Sequence, residues 1–135
     1  MRQKVFVYGT LKSGHHNNSL LENSTKIGEA WTKKEYTLLE DHYNGLPYVT
    51  KEKSYAIHGE VYEVDEWTFM MLDNLEGHPH FYCRELIEIF IPCIDDFAID
   101  DGRVKYDLME DRAWLYFLGD GYDTRQVRKL PNGSW

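Results

Sequence analysis

Cysteine is scarce in this chain, and its two copies, Cys83 and Cys93, lie ten positions apart in a segment that reads as extended. At the strand rise of about 3.3 Å per residue that spacing is about 33 Å, whereas a disulfide joins Cα atoms less than about 7 Å apart, so the pair stays unbridged unless the chain folds back at Pro92. Free thiols suit a reducing compartment. Basic residues are also in deficit, 15 Lys and Arg against 23 Asp and Glu, for a formal net charge of −8. The basic residues are scattered, so there is no basic face to drive counterion release, and nucleic acid is excluded as a partner. Long apolar runs are missing too. No stretch approaches the length of a membrane span, and Met1-Arg2-Gln3-Lys4 leads into a strand without the apolar centre of a signal peptide. These absences predict a cytoplasmic protein with no membrane partner.

Metal-binding patterns are lacking as well. Of the six histidines, His15, His16, His42, His58, His78 and His80, no pair has the i, i+4 spacing of a helical zinc site, and Cys83 belongs to no Cys-x-x-Cys pair. The carboxylates of segment 94–111, Asp95, Asp96, Asp100, Asp101, Asp107, Glu110 and Asp111, lack the alternation and loop glycine of a calcium turn and read as a solvated loop or hairpin. No serine sits in a Gly-x-Ser-x-Gly elbow, and Cys83 has no helix start beside it to lower its pKa.

What is present is material for a core: 42% hydrophobic residues and 15% aromatic in 135 residues, enough for one domain spanning 1–135 and too few for two. Coarse patterning predicts a strand over Val5–Val7, a helical turn between Asn17 and Asn23, and a hairpin of Lys26–Trp31 with Tyr36–Leu39. A loop from Asp41 to Pro47 and a short strand at Tyr48-Val49 follow. Tyr55–Val64 reads as a strand with a bulge at Gly59. A helix over Glu66–Asn74, capped by Asp65, carries an apolar stripe of Trp67, Met70, Met71 and Asn74 or Leu75 toward the core. Tyr82–Ile91 reads as a long strand closed by Pro92, Ala113–Leu118 as the last strand, and 119–135 as an irregular tail.

Two stretches carry chemistry. The first strand delivers Tyr8-Gly9-Thr10-Leu11-Lys12-Ser13-Gly14, whose backbone N–H groups, freed from the ladder between two glycines, can converge as an anion or oxyanion site. The same residues also suit a plain turn in which glycine only solves a backbone problem. The second is Leu72-Asp73-Asn74-Leu75-Glu76-Gly77-His78-Pro79. Gly77 fits a helix C′ position and Pro79 stops the helix from resuming, so Glu76 falls at a helix C-terminus beside Leu75, Phe81 and Tyr82. Dipole and apolar neighbours both disfavour its charge, which raises its pKa toward general acid–base use; a surface glutamate in a turn is the other reading.

Taken together, Tyr8-Gly9-Thr10-Leu11 after a first strand, His58-Gly59-Glu60-Val61-Tyr62 before a helix, and Leu72-Asp73-x-x-Glu76-Gly77-x-Pro79-x-x-Tyr82-x-Arg84 after it resemble the γ-glutamylcyclotransferase-like (AIG2-like) superfamily, in particular its γ-glutamylamine cyclotransferase branch. The resemblance implies an α+β fold, a small mixed β-barrel with short flanking helices. It implies that Glu76 is the catalytic carboxylate and that Tyr8, Gly9, Thr10 and Leu11 hold the substrate. Tyr82 and Tyr116 then belong to the substrate cavity, with Arg84 in support. It further implies cleavage of γ-glutamyl amines or amino acids by their own α-amino group, giving 5-oxoproline and a free amine without a cofactor or metal. A non-catalytic module that binds a small metabolite in the same pocket is the alternative, and the sequence gives no reading of oligomeric state.

Overall fold

The computed structural model describes residues 2–78, 81–100, 103–119 and 127–135, and the side chains of all of these except 93–100 and 103–107. Strands β1 (Gln3–Val7), β2 (Thr25–Thr32), β3 (Tyr36–Asp41), β4 (Pro47–Tyr55) and β5 (His58–Val64) precede helix α1 (Glu66–Glu76), which is followed by β6 (Tyr82–Asp100), β7 (Arg103–Leu118) and β8 (Val127–Lys129). A single 3₁₀ turn covers Asn18–Leu21. Five strands close a barrel in the order β1-β5-β2-β6-β7, sealed where β1 meets β7 in parallel at Val5 and Trp114. The other three form a small sheet, β4-β3-β8. Among the described residues no helix is long and apolar enough to cross a membrane.

The first strand is apolar without alternation because both of its faces are covered. Phe6 points into the barrel with Ala30, Val61, Ile89 and Leu115. Val5 and Val7 point outward into a second apolar layer with Leu11, Leu21, Leu72, Tyr82 and Tyr116. Strand period two therefore feeds two layers at once, and the outer one is roofed by α1 and the 3₁₀ turn.

Helix α1 starts as the sequence implies, with the Asp65 carboxylate accepting from the Thr68 amide at 2.7 Å, and it ends on Gly77 in the left-handed conformation at φ 65°. The face it buries differs from the expected one. Trp67 is 67% exposed and Leu75 45%, with Met70 and Met71 also outside, while Thr68 and Leu72 face inward. The buried strip runs i, i+4 from Thr68 through Leu72, and one more step reaches Glu76. Burying the larger apolar stripe would have turned Glu76 to solvent.

Other expectations are corrected by pairing. β2 and β3 form no hairpin: β2 stays in the barrel against β5 and β6, while β3 pairs with β4 and β8. The divergence is fixed at Thr32, whose hydroxyl donates to the Lys34 carbonyl at 2.7 Å and accepts from the Ile57 amide at 2.9 Å. The expected strand 55–64 is broken between Tyr55 and His58, and β4 extends back to Pro47. Pro92 does not end β6, which runs on opposite β7 to Asp100 with Pro92 facing Leu108. Beyond Ile91 β6 has left β2 behind, so an edge without a ladder partner accommodates the missing N–H. Segment 94–111 thus contributes backbone to a long β6–β7 ribbon, and β8 gives the C-terminal segment a strand. The expectations for Pro79, His80, the Cys93 thiol, Asp101, Gly102 and the Gly119-Asp120-Gly121 turn fall wholly or partly outside the described residues; Cys83 is a free thiol.

No bulge occurs at Gly59, which stays in register with Ala30. Glycine is required there because a Cβ would lie 2.4 Å from the Val7 carbonyl oxygen and 2.7 Å from Phe6 Cζ. Gly59→Ala should therefore lower stability by at least about 2 kcal/mol, read as the urea midpoint, through overpacking against backbone that cannot yield. An unchanged midpoint would refute the packing account.

Candidate active site

The chain after β1 makes a tight turn, with the Lys12 amide donating to the Gly9 carbonyl at 3.0 Å. Its shape is held from within the same segment. The Asn17 amide donates to the Thr10 carbonyl at 3.1 Å, Asn17 Nδ2 to Thr10 Oγ1 at 2.9 Å, and Asn18 Nδ2 to the Leu11 carbonyl at 2.8 Å. Among the described residues nothing accepts from the amides of Thr10 and Leu11, which remain available to a ligand. Gly9 does not adopt positive φ; its Cβ would lie 2.5 Å from Pro47 Cγ, so glycine lets the opposite wall close in.

That turn forms one wall of a cavity of about 200 Å³, whose other walls include Pro47, Glu76, Phe81, Tyr82 and Tyr116. All seven residues named from the sequence, Tyr8, Gly9, Thr10, Leu11, Glu76, Tyr82 and Tyr116, line it. Drug-sized pockets run to roughly 300–1,000 Å³, so this one suits a ligand of amino-acid size. Arg84 lies behind the wall.

Glu76 is the cavity's carboxylate. Burial pushes its pKa up to about 7, and among the described residues its carboxyl has no hydrogen-bond or ion-pair partner. A half-buried acid without a partner is costly to keep charged, so it exchanges protons readily near neutrality. Tyr8 and Tyr116 stay protonated. Burial, then the nearby Glu76 charge, raises Tyr8, whose hydroxyl donates to the Tyr116 carbonyl at 2.7 Å. Tyr116 is raised by burial and by its bond to Asp73.

A clamp on the last turn of α1 fixes Glu76. Asp73, three residues earlier, accepts at one oxygen from Tyr116 (2.6 Å) and from Arg84 Nε (2.8 Å). The Arg84 guanidinium lies in the corner formed by two rings, 4.3 Å from the Phe69 centroid and 4.5 Å from that of Trp114, the rings themselves packing at 6.0 Å. The helix end is thereby tied to β6 and β7 by planar stacking and charge-assisted bonds. Tyr82 does the same for the opposite wall, donating to the Pro47 carbonyl at 3.1 Å and stacking on Tyr48 at 5.5 Å.

Sequence reasoning set Phe81 beside Glu76 and Leu46 and Pro47 in a loop; it missed the loop supports Asn17 and Asn18, and nothing in their local pattern marks that role. Asp73 could have been found from α1, since i, i+3 places it beside Glu76, whereas the resemblance already names Arg84 in support. Among the described residues no group of three His, Cys, Asp or Glu side chains could hold a metal ion.

A closed five-strand barrel flanked by a helix is the AIG2-like fold. The crystal structure of an AIG2-like protein from Mus musculus superposes with a TM-score of 0.77 over 99% of this chain and 88% of its own, at 21% identity. The family model described as γ-glutamyl cyclotransferase, AIG2-like, matches residues 5–135, and the chain belongs to that family. Its relatives include a provisionally named γ-glutamylcyclotransferase of Methanocaldococcus jannaschii, 43% identical over 115 residues that cover 84% of this chain and 82% of that one. The γ-glutamylaminecyclotransferase of Rattus norvegicus is 32% identical over 92 residues, 63% of this chain and 62% of its own.

Proposed function

We propose that this protein is a cytoplasmic γ-glutamyl cyclotransferase that converts a small γ-glutamyl amide into 5-oxoproline and a free amine. The observation that carries the reading is the lone Glu76 carboxyl, poised at about pH 7 in the same small cavity as the Tyr8–Leu11 turn. Glu76 takes a proton from the substrate's α-ammonium, and the freed amine attacks the δ-carbonyl carbon to close a five-membered ring. The carbon–nitrogen bond to the departing amine then breaks as Glu76 returns its proton to that nitrogen, and the second proton, shed by the ring nitrogen, goes to the released amine, which leaves as its ammonium. One group serves as base and then acid, a contribution of roughly 10²- to 10⁴-fold, and enclosure of the folded γ-glutamyl chain supplies the near-attack geometry. The loop amides anchor the substrate carboxylate or the developing oxyanion. Substrate supplies both nucleophile and leaving group, so no cofactor enters.

Amines are favoured over α-amino acids as the group released. Leu46, Leu75 and Phe81 line the cavity, the last two partly exposed, and among the described residues no Lys or Arg lines it to meet a carboxylate on the departing group. The test is a panel of γ-glutamyl-ε-lysine, γ-glutamyl amino acids, simple γ-glutamyl alkylamides and glutathione, followed by release of 5-oxoproline. Release from the amides at the highest kcat/KM is expected; none from any member by folded protein would sink the reading. With the preferred member, kcat/KM should rise with pH through an inflection near 7, because the free enzyme needs Glu76 ionised. A profile flat from pH 6 to 8 would remove Glu76 as the base.

A further inference from the structure

We propose that Glu60 is a positioning residue for the substrate-binding turn, tying its far end to the barrel so that the Thr10 and Leu11 amides are held toward the cavity; what the turn binds rests on the cyclotransferase reading. Glu60 lies on β5 directly opposite Val7, the last residue of β1, and is only 8% exposed. The chain leaves the barrel after Val7 and is caught again at Ser13, whose amide donates to Glu60 Oε1 at 2.7 Å. The same oxygen accepts from the Tyr62 hydroxyl at 3.1 Å, and Glu60 Oε2 accepts from Lys26 Nζ at 3.2 Å. Tyr62, two residues on and so on the same strand face, takes Asn18 Nδ2 at 3.1 Å and lies 3.0 Å from Ser13 Oγ.

Glu60 and Tyr62 thus fasten both ends of the segment Ser13–Asn18 to one strand. The bonds from Asn17 and Asn18 to Thr10 and Leu11 join the turn to that segment, so the turn moves with it. Beyond these, the turn is held by burial of Leu11 and by Lys12 Nζ donating to the Trp135 carbonyl at 2.6 Å. Burial pushes the Glu60 pKa up, but the Ser13 amide, Lys26 and Tyr62 outweigh it and hold the carboxyl below its ordinary range, so the tether is charged at neutral pH. A charge-assisted bond to a backbone amide is the strongest single fastening such a turn can receive from a side chain.

The test compares Glu60→Ala, Glu60→Gln and Tyr62→Phe with the unmodified protein. Measured are KM and kcat on the best substrate of the panel, the Kd for 5-oxoproline by calorimetry, and hydrogen exchange of the Thr10 to Ser13 amides. Loss of the tether in Glu60→Ala should raise both KM and the 5-oxoproline Kd roughly tenfold, speed exchange at Ser13, and leave kcat within about threefold. The pH inflection near 7 stays in place, since it belongs to Glu76. Glu60→Gln keeps an acceptor for Ser13 and should recover most of the loss. A folded Glu60→Ala with unchanged KM and Kd overturns the proposal, as does Glu60→Gln impaired equally with Ala. Should Glu60→Ala fail to fold, Tyr62→Phe decides: KM raised about threefold supports the tether, and an unchanged KM overturns it. An unmodified protein that releases no 5-oxoproline from any substrate defeats the cyclotransferase reading alone; loop exchange faster in Ala than in Gln then still supports the tether, and equal exchange overturns it.

Discussion

Glu76→Gln should lose turnover by at least about 100-fold while becoming more stable than the unmodified protein at pH 8. The first half follows from the proposed chemistry: glutamine fills the same space in the cavity but can neither accept nor return a proton. The second half follows from burial. Glu76 titrates near 7 in the fold and near 4.5 in the unfolded chain, so the folded state binds the proton more tightly. Its contribution to stability is complete below about pH 4.5, is lost as pH rises toward 7, and above that the fold carries a half-buried charge without a partner. Glutamine avoids that cost. After allowance for the carboxyl's access to water, the gain is about 1–2 kcal/mol at pH 8, falling toward zero by pH 4.5. Thermal melting of the two proteins at both pH values, with 5-oxoproline release at saturating substrate, checks both halves. Wild-type turnover in the variant would refute the catalytic role, and a melting difference independent of pH would refute the electrostatic account.

Arg84→Ala should be the most damaging change outside the cavity wall, lowering stability by about 3 kcal/mol and kcat by at least about tenfold. The guanidinium is held against the Phe69 and Trp114 rings and is the cationic partner of Asp73, with both side chains about one-fifth exposed. Its removal leaves the Asp73 carboxylate with Tyr116 alone, strips the packing from two ring faces, and frees the helix turn that carries Glu76. Arg84→Lys should recover part of the stability and little of the turnover, because an ammonium restores charge but neither the planar stack nor the fixed donor direction. Urea unfolding and kcat at saturating substrate provide the readouts. A variant with normal kcat would show that the clamp does not position Glu76.

How far the sequence announced this arrangement depended on whether the deciding contact was local. The Asp65 cap, the Gly77 stop and the strand before Gly9 are set by neighbours in the chain, and each is where the residues put it. The glycine-turn and glutamate motifs are legible as two separate pieces, and the cavity that joins them is legible only through family resemblance. What failed was tertiary. The apolar stripe of α1 outranks Thr68 and Leu72 in hydrophobicity, yet the clamp at Asp73 and the roof over the outer layer select the narrower face. β2 and β3 pair as a hairpin on local pattern alone, and it takes Ile57 bonding at Thr32 to send them to different sheets. Leu46, Pro47 and Phe81 gain meaning only once β4 and α1 are brought together.

The parallel seam between Val5 and Trp114 has a consequence for how the protein comes into being. β1 leaves the ribosome before its closing neighbour, which is 109 positions later. Contacts so distant in sequence form slowly, because the intervening chain must first be ordered. Until β7 emerges, the nascent chain carries a strand that is apolar on both faces and unsealed on one edge, a state that invites mispairing. The glycine turn hangs from that strand, so the half of the cavity made first cannot be set firmly against Glu76 until β7 has been synthesised.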